Sequence, residues 1–127
     1  MIDTDLLNQS VENIQSFLKD GLLSTDIWRR RDGLALAGFN QQPAATALFN
    51  QITEALETNL VNAGFPKLNR YYLIDLKTDK TVLIIRHGED MLQGILLDTT
   101  KANLGMLLSV ALPRALEQVA KANDQGG

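Results

Sequence analysis

The order of hydrophobic periods constrains this chain more than any other feature. A helical period comes first, then two alternating runs joined by Asp32-Gly33, then a second helical period, three extended runs and a final helical period. An α-β-β-α-β-β-β-α order in 127 residues predicts a single α/β (α+β) domain over residues 1–127, with one compact sheet covered by three helices. A chain of roughly this length buries about two-thirds of the surface exposed by its unfolded form, enough for a core without covalent staples. The core is expected over residues 4–122, with 123–127 as a flexible tail.

The local signals agree with this order. Asp3 or Thr4 can cap a first helix whose apolar face is Leu7, Val11, Ile14 and Leu18, with Phe17 beside it and Asp20-Gly21 as its end. Residues 25–31 and 34–39 read as a hairpin, with Asp32-Gly33 as a two-residue type I′ turn. Pro43 suits the first turn of a helix over 44–63. Its stripe is Ala45, Phe49, Ile52, Leu56, Leu60 and Ala63; Gly64 is its C′ residue and Pro66 prevents continuation. Strands follow at 70–77, 81–87 and 91–97, with Gly94 marking a bulge or a close helix approach. Asp98, Thr99 or Thr100 caps the last helix, whose stripe is Leu104, Leu108, Ala111, Ala115 and Val119. Pro113 inside that helix predicts a bend or break over 109–113.

Little here points to chemistry of its own. The chain has no cysteine, which removes disulfides, thiolate nucleophiles and cysteine metal sites. His87 is the only histidine and reads as a surface residue at a strand end rather than a metal ligand, and no serine sits in a strand-turn-helix elbow. The scattered glycines form no phosphate loop. No catalytic residue, metal site or cofactor is expected, and the protein is read as a non-enzyme. A net charge of −3 argues against tight nucleic-acid binding. No apolar run is long enough to insert in a membrane, and acids stand near Met1 where a signal peptide would carry positive charge, so a cytoplasmic protein is expected.

The interaction signals are stronger. Ala44, Leu48 and Ala55 widen the apolar stripe of the second helix on one side. Strand 70–77 lacks Pro and Gly and alternates little in polarity. At a sheet edge it is an open template for a second chain; in mid-sheet it is a core strand packed on both faces. A two-fold dimer would satisfy the edge and cover the helix flank together. Arg29, Arg30 and Arg31 form the densest positive run, with 29 and 31 expected on one strand face and 30 on the other, beside Trp28. They read either as a charged edge that discourages aggregation or as a docking patch, with Trp28 as core residue or exposed anchor.

The stretch Arg31-Asp32-Gly33-Leu34-Ala35-Leu36-Ala37 resembles the R-D-G-L first hairpin of the Roadblock family, the dynein light-chain type. Leu97-Asp98 followed by Lys101-Ala102-Asn103-Leu104-Gly105-Met106 resembles that family's entry to its last helix, and the element order matches over about residues 4–122. The resemblance implies a profilin-like sandwich: a five-stranded antiparallel sheet with the second helix on one face and the first and third on the other. It implies a homodimer or paralogous heterodimer in which the second helix pairs with its mate and the third strand extends the sheet. By position this falls on Ala44, Leu48, Ile52, Ala55, Tyr71 and Leu73. Members often regulate or tether small Ras-like GTPases, as bacterial gliding-motility regulators or scaffold subunits, and others serve as dynein light chains. The expected function is therefore a dimeric interaction module that binds and regulates such a GTPase, with Trp28, Arg29, Arg30 and Arg31 as candidate partner-binding residues. The alternatives are a structural adapter or light-chain scaffold subunit, and a profilin-like small-molecule sensor. Pro113 departs from the family's uninterrupted last helix.

Overall fold

The computed structural model describes residues 2–126. Helix α1 (Thr4–Leu18) leads through a 3₁₀ turn (Lys19–Gly21) into β1 (Leu22–Arg29) and β2 (Ala35–Phe39). Helix α2 (Pro43–Asn62) is followed by β3 (Tyr71–Leu76), β4 (Lys80–His87) and β5 (Met91–Asp98). A single turn α3 (Leu104–Met106), a π-helical segment (Leu107–Ala111) and α4 (Leu112–Gly126) form the C-terminal helix. All five strands pair antiparallel in the order β2-β1-β5-β4-β3. The edges are therefore β2 and β3, and the alternative of a mid-sheet β3 falls away.

Strand alternation divides the core between two faces. Leu83, Ile85, Ile95 and Leu97 pack under Ile14 and Leu18 of α1 and Leu107, Ala111 and Ala115 of the C-terminal helix. Ile27, Ala37 and Met91 continue this layer beneath Leu7, Val11 and Val119. On the opposite face Trp28, Val82, Ile84 and Leu92 meet Phe49 of α2. Each fully buried Leu, Ile or Val contributes about 1.5–3 kcal/mol of transfer free energy, so the two-helix face dominates stability.

Asp3 caps α1, its carboxylate accepting from the Asp5 and Leu6 N–H groups at 3.0 and 3.2 Å. The helix ends at Leu18, two residues before the expected Asp20-Gly21, and Lys19 takes the positive φ of 52°. Gly21 is required for space instead: a Cβ there would lie 2.4 Å from that of Ala102. Pro43 opens α2, and Gly64 (φ 83°) closes it. Phe65 N–H bonds Leu60 C=O and Gly64 N–H bonds Val61 C=O, the double bond pattern of a Schellman motif.

The first hairpin departs from expectation. β1 starts at Leu22 rather than 25 and stops at Arg29, and the loop spans residues 30–34. Gly33 alone in this loop has positive φ, so Asp32-Gly33 is no type I′ turn. Asp32 instead holds Arg29 and accepts the Leu34 N–H at 3.1 Å, which widens the loop. Successive positive φ values occur at Thr78 and Asp79, between β3 and β4. Asp98, Thr99 and Thr100 do not cap the last helix; Asp98 closes a turn onto Thr100, and Asn103 caps by accepting Met106 N–H at 3.1 Å. The bend expected from Pro113 takes the form of the π-helical segment, which ends as Leu112 N–H bonds Leu107 C=O. Helix α4 runs on through Gly126, into the expected tail; Gly127 lies outside the described residues. Gly94 forms no bulge and lies beneath the Trp28 ring, 3.6 Å from where its Cβ would be.

Candidate functional site

Helix α2 is held to the sheet unequally on its two sides. Thr53 is its only buried residue. One side is a polar seam. Trp28 Nε1 donates to Asn50 Oδ1 at 2.9 Å, and Asn50 Nδ2 donates to the Arg30 carbonyl at 3.1 Å. Thr53 and Tyr72 share a hydroxyl hydrogen bond of 2.7 Å. Arg30 grips Glu57 with both terminal nitrogens, at 3.1 and 2.6 Å, and Arg86 reaches the same carboxylate at 2.9 Å. Arg86 also donates to the Leu68 and Asn69 carbonyls at 2.7 and 2.9 Å, tying down the chain between α2 and β3. Hydrogen bonding from Arg30 holds the Glu57 carboxyl below its ordinary value, against the opposing effect of burial.

The other side of α2 is apolar and unpartnered. Leu48 is 50% exposed, Ala44 and Ala55 are exposed, and Ile52 is half-buried. Beside this flank the sheet shows half-buried Ile74 and Leu96 and exposed Leu76. A small apolar cavity of 80 Å³ opens between Ala45 and Phe49 of the helix and Trp28, Val82 and Leu96 of the sheet. Asp26 stands at its rim, only 8% exposed, accepting the Gln42 N–H at 3.0 Å; burial pushes its carboxyl upward. Flank, bare sheet and the β3 edge lie on one side of the molecule.

Tyr71 and Leu73 do not share that side. Tyr72 turns its hydroxyl to Thr53, so alternation sends Tyr71 and Leu73 to the opposite face, and Tyr72, Ile74 and Leu76 are the β3 residues beside α2. The apolar run Tyr71–Ile74, resumed at Leu76 after Asp75, hides this parity in the sequence. All six candidate residues are exposed or half-buried in the single chain.

The three arginines do not form a cluster. Arg29 is paired within the hairpin to Asp32, at 3.1 and 2.6 Å. That guanidinium, aided by the Leu34 N–H, holds Asp32 down to about 2. Arg30 is spent on Glu57, and Arg31, 68% exposed, lies 3.3 Å from Asp90. Arg30 and Arg31 lie beyond the end of β1, so the expected alternation over 29–31 does not apply. Trp28 is 1% exposed beneath α2 and is a core residue rather than an open anchor. Sequence reasoning missed Glu57, whose partners stand 27 and 29 positions away; a lone acid near the inner side of an apolar helix was the available signal.

His87 is also placed differently from expectation. It is 5% exposed, with Nε2 2.8 Å from Gln93 Oε1, so the ring donates from that nitrogen. Gln93 in turn donates to Thr25 Oγ1 at 3.2 Å, and Thr25 to the Gly94 carbonyl at 2.7 Å. Burial pushes the imidazole down to about 4. Among the described residues no group of three His, Asp or Glu side chains converges as a metal site.

No protein-family model matches the chain, and no curated protein matches it in sequence. Solved structures do match in fold. Myxococcus xanthus MglB superposes with a TM-score of 0.81 at 9% identity, over 97% of this chain and 91% of that one. The gliding protein MglB of Thermus thermophilus gives 0.80 at 15% identity, over 97% and 92%. A Roadblock/LC7 domain from Streptomyces avermitilis gives 0.63 at 12% identity, over 93% and 95%. At such identities the likeness is one of fold: this chain has the fold of the Roadblock/LC7 domain and of MglB.

Proposed function

We propose that this chain is a homodimeric, or paralogous heterodimeric, interaction module that binds and regulates a small Ras-like GTPase. One observation carries the reading: the α2 flank, the bare sheet beside it and the unpaired β3 edge make one continuous surface that the chain itself does not cover. A mate in the same orientation about a two-fold would lay its α2 against Leu48 and Ile52 and its β3 against β3, satisfying backbone and apolar surface together. The fold shared with MglB supports the choice of partner class. Arg29 and Arg30 are internally paired, so regulation would act by holding the GTPase's own groups in place, with no guanidinium supplied in trans from either.

The test is to purify the chain with a Ras-like GTPase from its host, loaded in turn with GDP and with a non-hydrolysable GTP analogue. Binding of two copies of this chain per complex, dependent on the nucleotide, together with a changed hydrolysis rate, is the expected result. A stable dimer that binds no nucleotide state and instead holds a larger subunit in solution makes the protein a structural adapter. Nucleotide-independent binding without a rate change makes it a tether.

A further inference from the structure

Two cavities flank the start of α2, and Asp26 is the one residue that lines both. The smaller is the 80 Å³ chamber between α2 and the sheet. The larger, 440 Å³, is polar and runs between the β1–β2 loop and the first turns of α2, past Gln41, Thr46 and Asn50. Of the charged side chains that line the two, Arg30, Arg31 and Asp32 are paired, to Glu57, Asp90 and Arg29. Asp26 has no cation partner among the described residues. Its Oδ2 accepts the Gln42 N–H, and its Oδ1 accepts from no described residue. Ser24, buried on the same face of β1, lines the chamber with a hydroxyl that likewise has no partner among the described residues. The side-chain atoms sealed away without a partner are Ser10 Oγ and Arg86 Nε, so Asp26 Oδ1 and Ser24 Oγ face open space. The rest of the chamber is apolar, built mainly by Trp28, Ala45, Phe49, Val82 and Leu96. A cavity of about 150 Å³ holds a benzene ring, so one of 80 Å³ takes a chain of about three or four carbons.

We propose that this chamber binds a short-chain primary alkylammonium, its head on Asp26 Oδ1 and Ser24 Oγ and its tail between Trp28 and Phe49. The buried carboxylate, unpaired in the free chain, gains its counter-ion on binding. A primary ammonium carries three N–H donors, two for these oxygens and one for the larger cavity. A quaternary ammonium carries none, and an alkyl carboxylate meets Asp26 with like charge. A diamine of the same length buries its second charge among apolar side chains. A lysine side chain entering through the larger cavity leaves the chamber empty, because no carbon lies beyond its ammonium. The ligand is therefore a free amine. The site lies within one chain and requires neither the dimer nor a GTPase.

The experiment titrates the intact chain with butylammonium chloride at constant ionic strength. It follows the emission of Trp28, the only tryptophan, and the backbone amides of Asp26 and Phe49. Expected is a saturable response, with butylammonium binding at least about tenfold more tightly than methylammonium. Butyrate and tetramethylammonium should leave Trp28 unchanged. Asp26→Asn keeps an oxygen for the Gln42 N–H and should weaken binding by at least about tenfold without lowering the urea midpoint. Ala45→Leu fills the chamber, leaves Asp26 in place and should abolish the advantage of butyl over methyl. A response that does not saturate, an equal response to butyrate or butanol, or wild-type affinity in Asp26→Asn overturns the site. If Asp26→Asn lowers the midpoint, Ala45→Leu decides: a butyl advantage that survives it overturns the site, and one that is lost upholds it. A chain that binds no GTPase but passes these tests keeps the site and loses only the reading proposed above.

Discussion

Arg30 and Glu57 meet through two hydrogen bonds of 3.1 and 2.6 Å, and this pair fixes where α2 lies on the sheet. Glu57 is the sole carboxylate that Arg30 and Arg86 share, and the three side chains are only 17–27% exposed. Glu57→Ala leaves two half-buried guanidiniums without their counter-ion, and should cost roughly 1–3 kcal/mol after allowance for solvent screening. Arg30→Ala should cost less, because Arg86 still satisfies the carboxylate. Urea midpoints at pH 7 check the order; equal midpoints for Arg30→Ala and Glu57→Ala would place no weight on Arg86.

The buried His87 makes stability depend on acid. Its folded value of about 4 lies below the ordinary 6.5, so the unfolded chain binds the proton more readily between these limits. The contribution is fully present above pH 6.5 and is lost as pH falls toward 4, by about 3 kcal/mol at full extent. His87→Gln removes the titration and should flatten the fall of the unfolding midpoint between pH 6.5 and 4.5. A variant that loses stability over this window as steeply as the wild type would exclude His87 as the source.

What could be read directly from the residues was local. Pro43 and Gly64 bracket α2 because a fixed φ and a left-handed cap are properties of single residues, and the Leu7–Leu18 stripe needs only helical spacing. What was hidden depended on which side chains meet, which backbone periodicity and single-residue preferences do not show. Asp32-Gly33 carries a strong turn signature, yet the Arg29 guanidinium captures the Asp32 carboxylate and the loop widens. An apolar run has no visible parity, so nothing in the residues separates Tyr71 and Leu73 from the α2 flank; the Thr53–Tyr72 bond does. Arg29, Arg30 and Arg31 are contiguous in sequence but turn to three different acids. His87 finds Gln93 across the sheet, which no spacing rule announces.

Two glycines should respond to alanine for different reasons. At Gly21 a Cβ would meet the Ala102 Cβ at 2.4 Å and its backbone nitrogen at 2.9 Å, so the 3₁₀ turn and the segment before α3 must move apart. The expected cost is about 1–3 kcal/mol of overpacking. At Gly64 nothing lies within 4 Å, and the cost is only the left-handed φ of 83°, about 1 kcal/mol. Thermal or urea unfolding of Gly21→Ala and Gly64→Ala should therefore rank the first as the more damaging.

Leu48 separates association from folding. Its side chain is half exposed in the single chain, so Leu48→Asp removes little buried area and should change the folding free energy of the isolated chain by no more than about 0.5 kcal/mol. In a dimer joined along α2 the same carboxylate would be buried against an apolar mate without a cation, at a cost of several kcal/mol. Light scattering at micromolar concentration should therefore show the wild type as a dimer and Leu48→Asp as a folded monomer. Glu54→Ala, an exposed change on the side of α2 away from that flank, should leave the dimer intact. A Leu48→Asp chain that keeps the wild-type mass would move the interface off α2, and β3 pairing alone would then have to hold the two copies together.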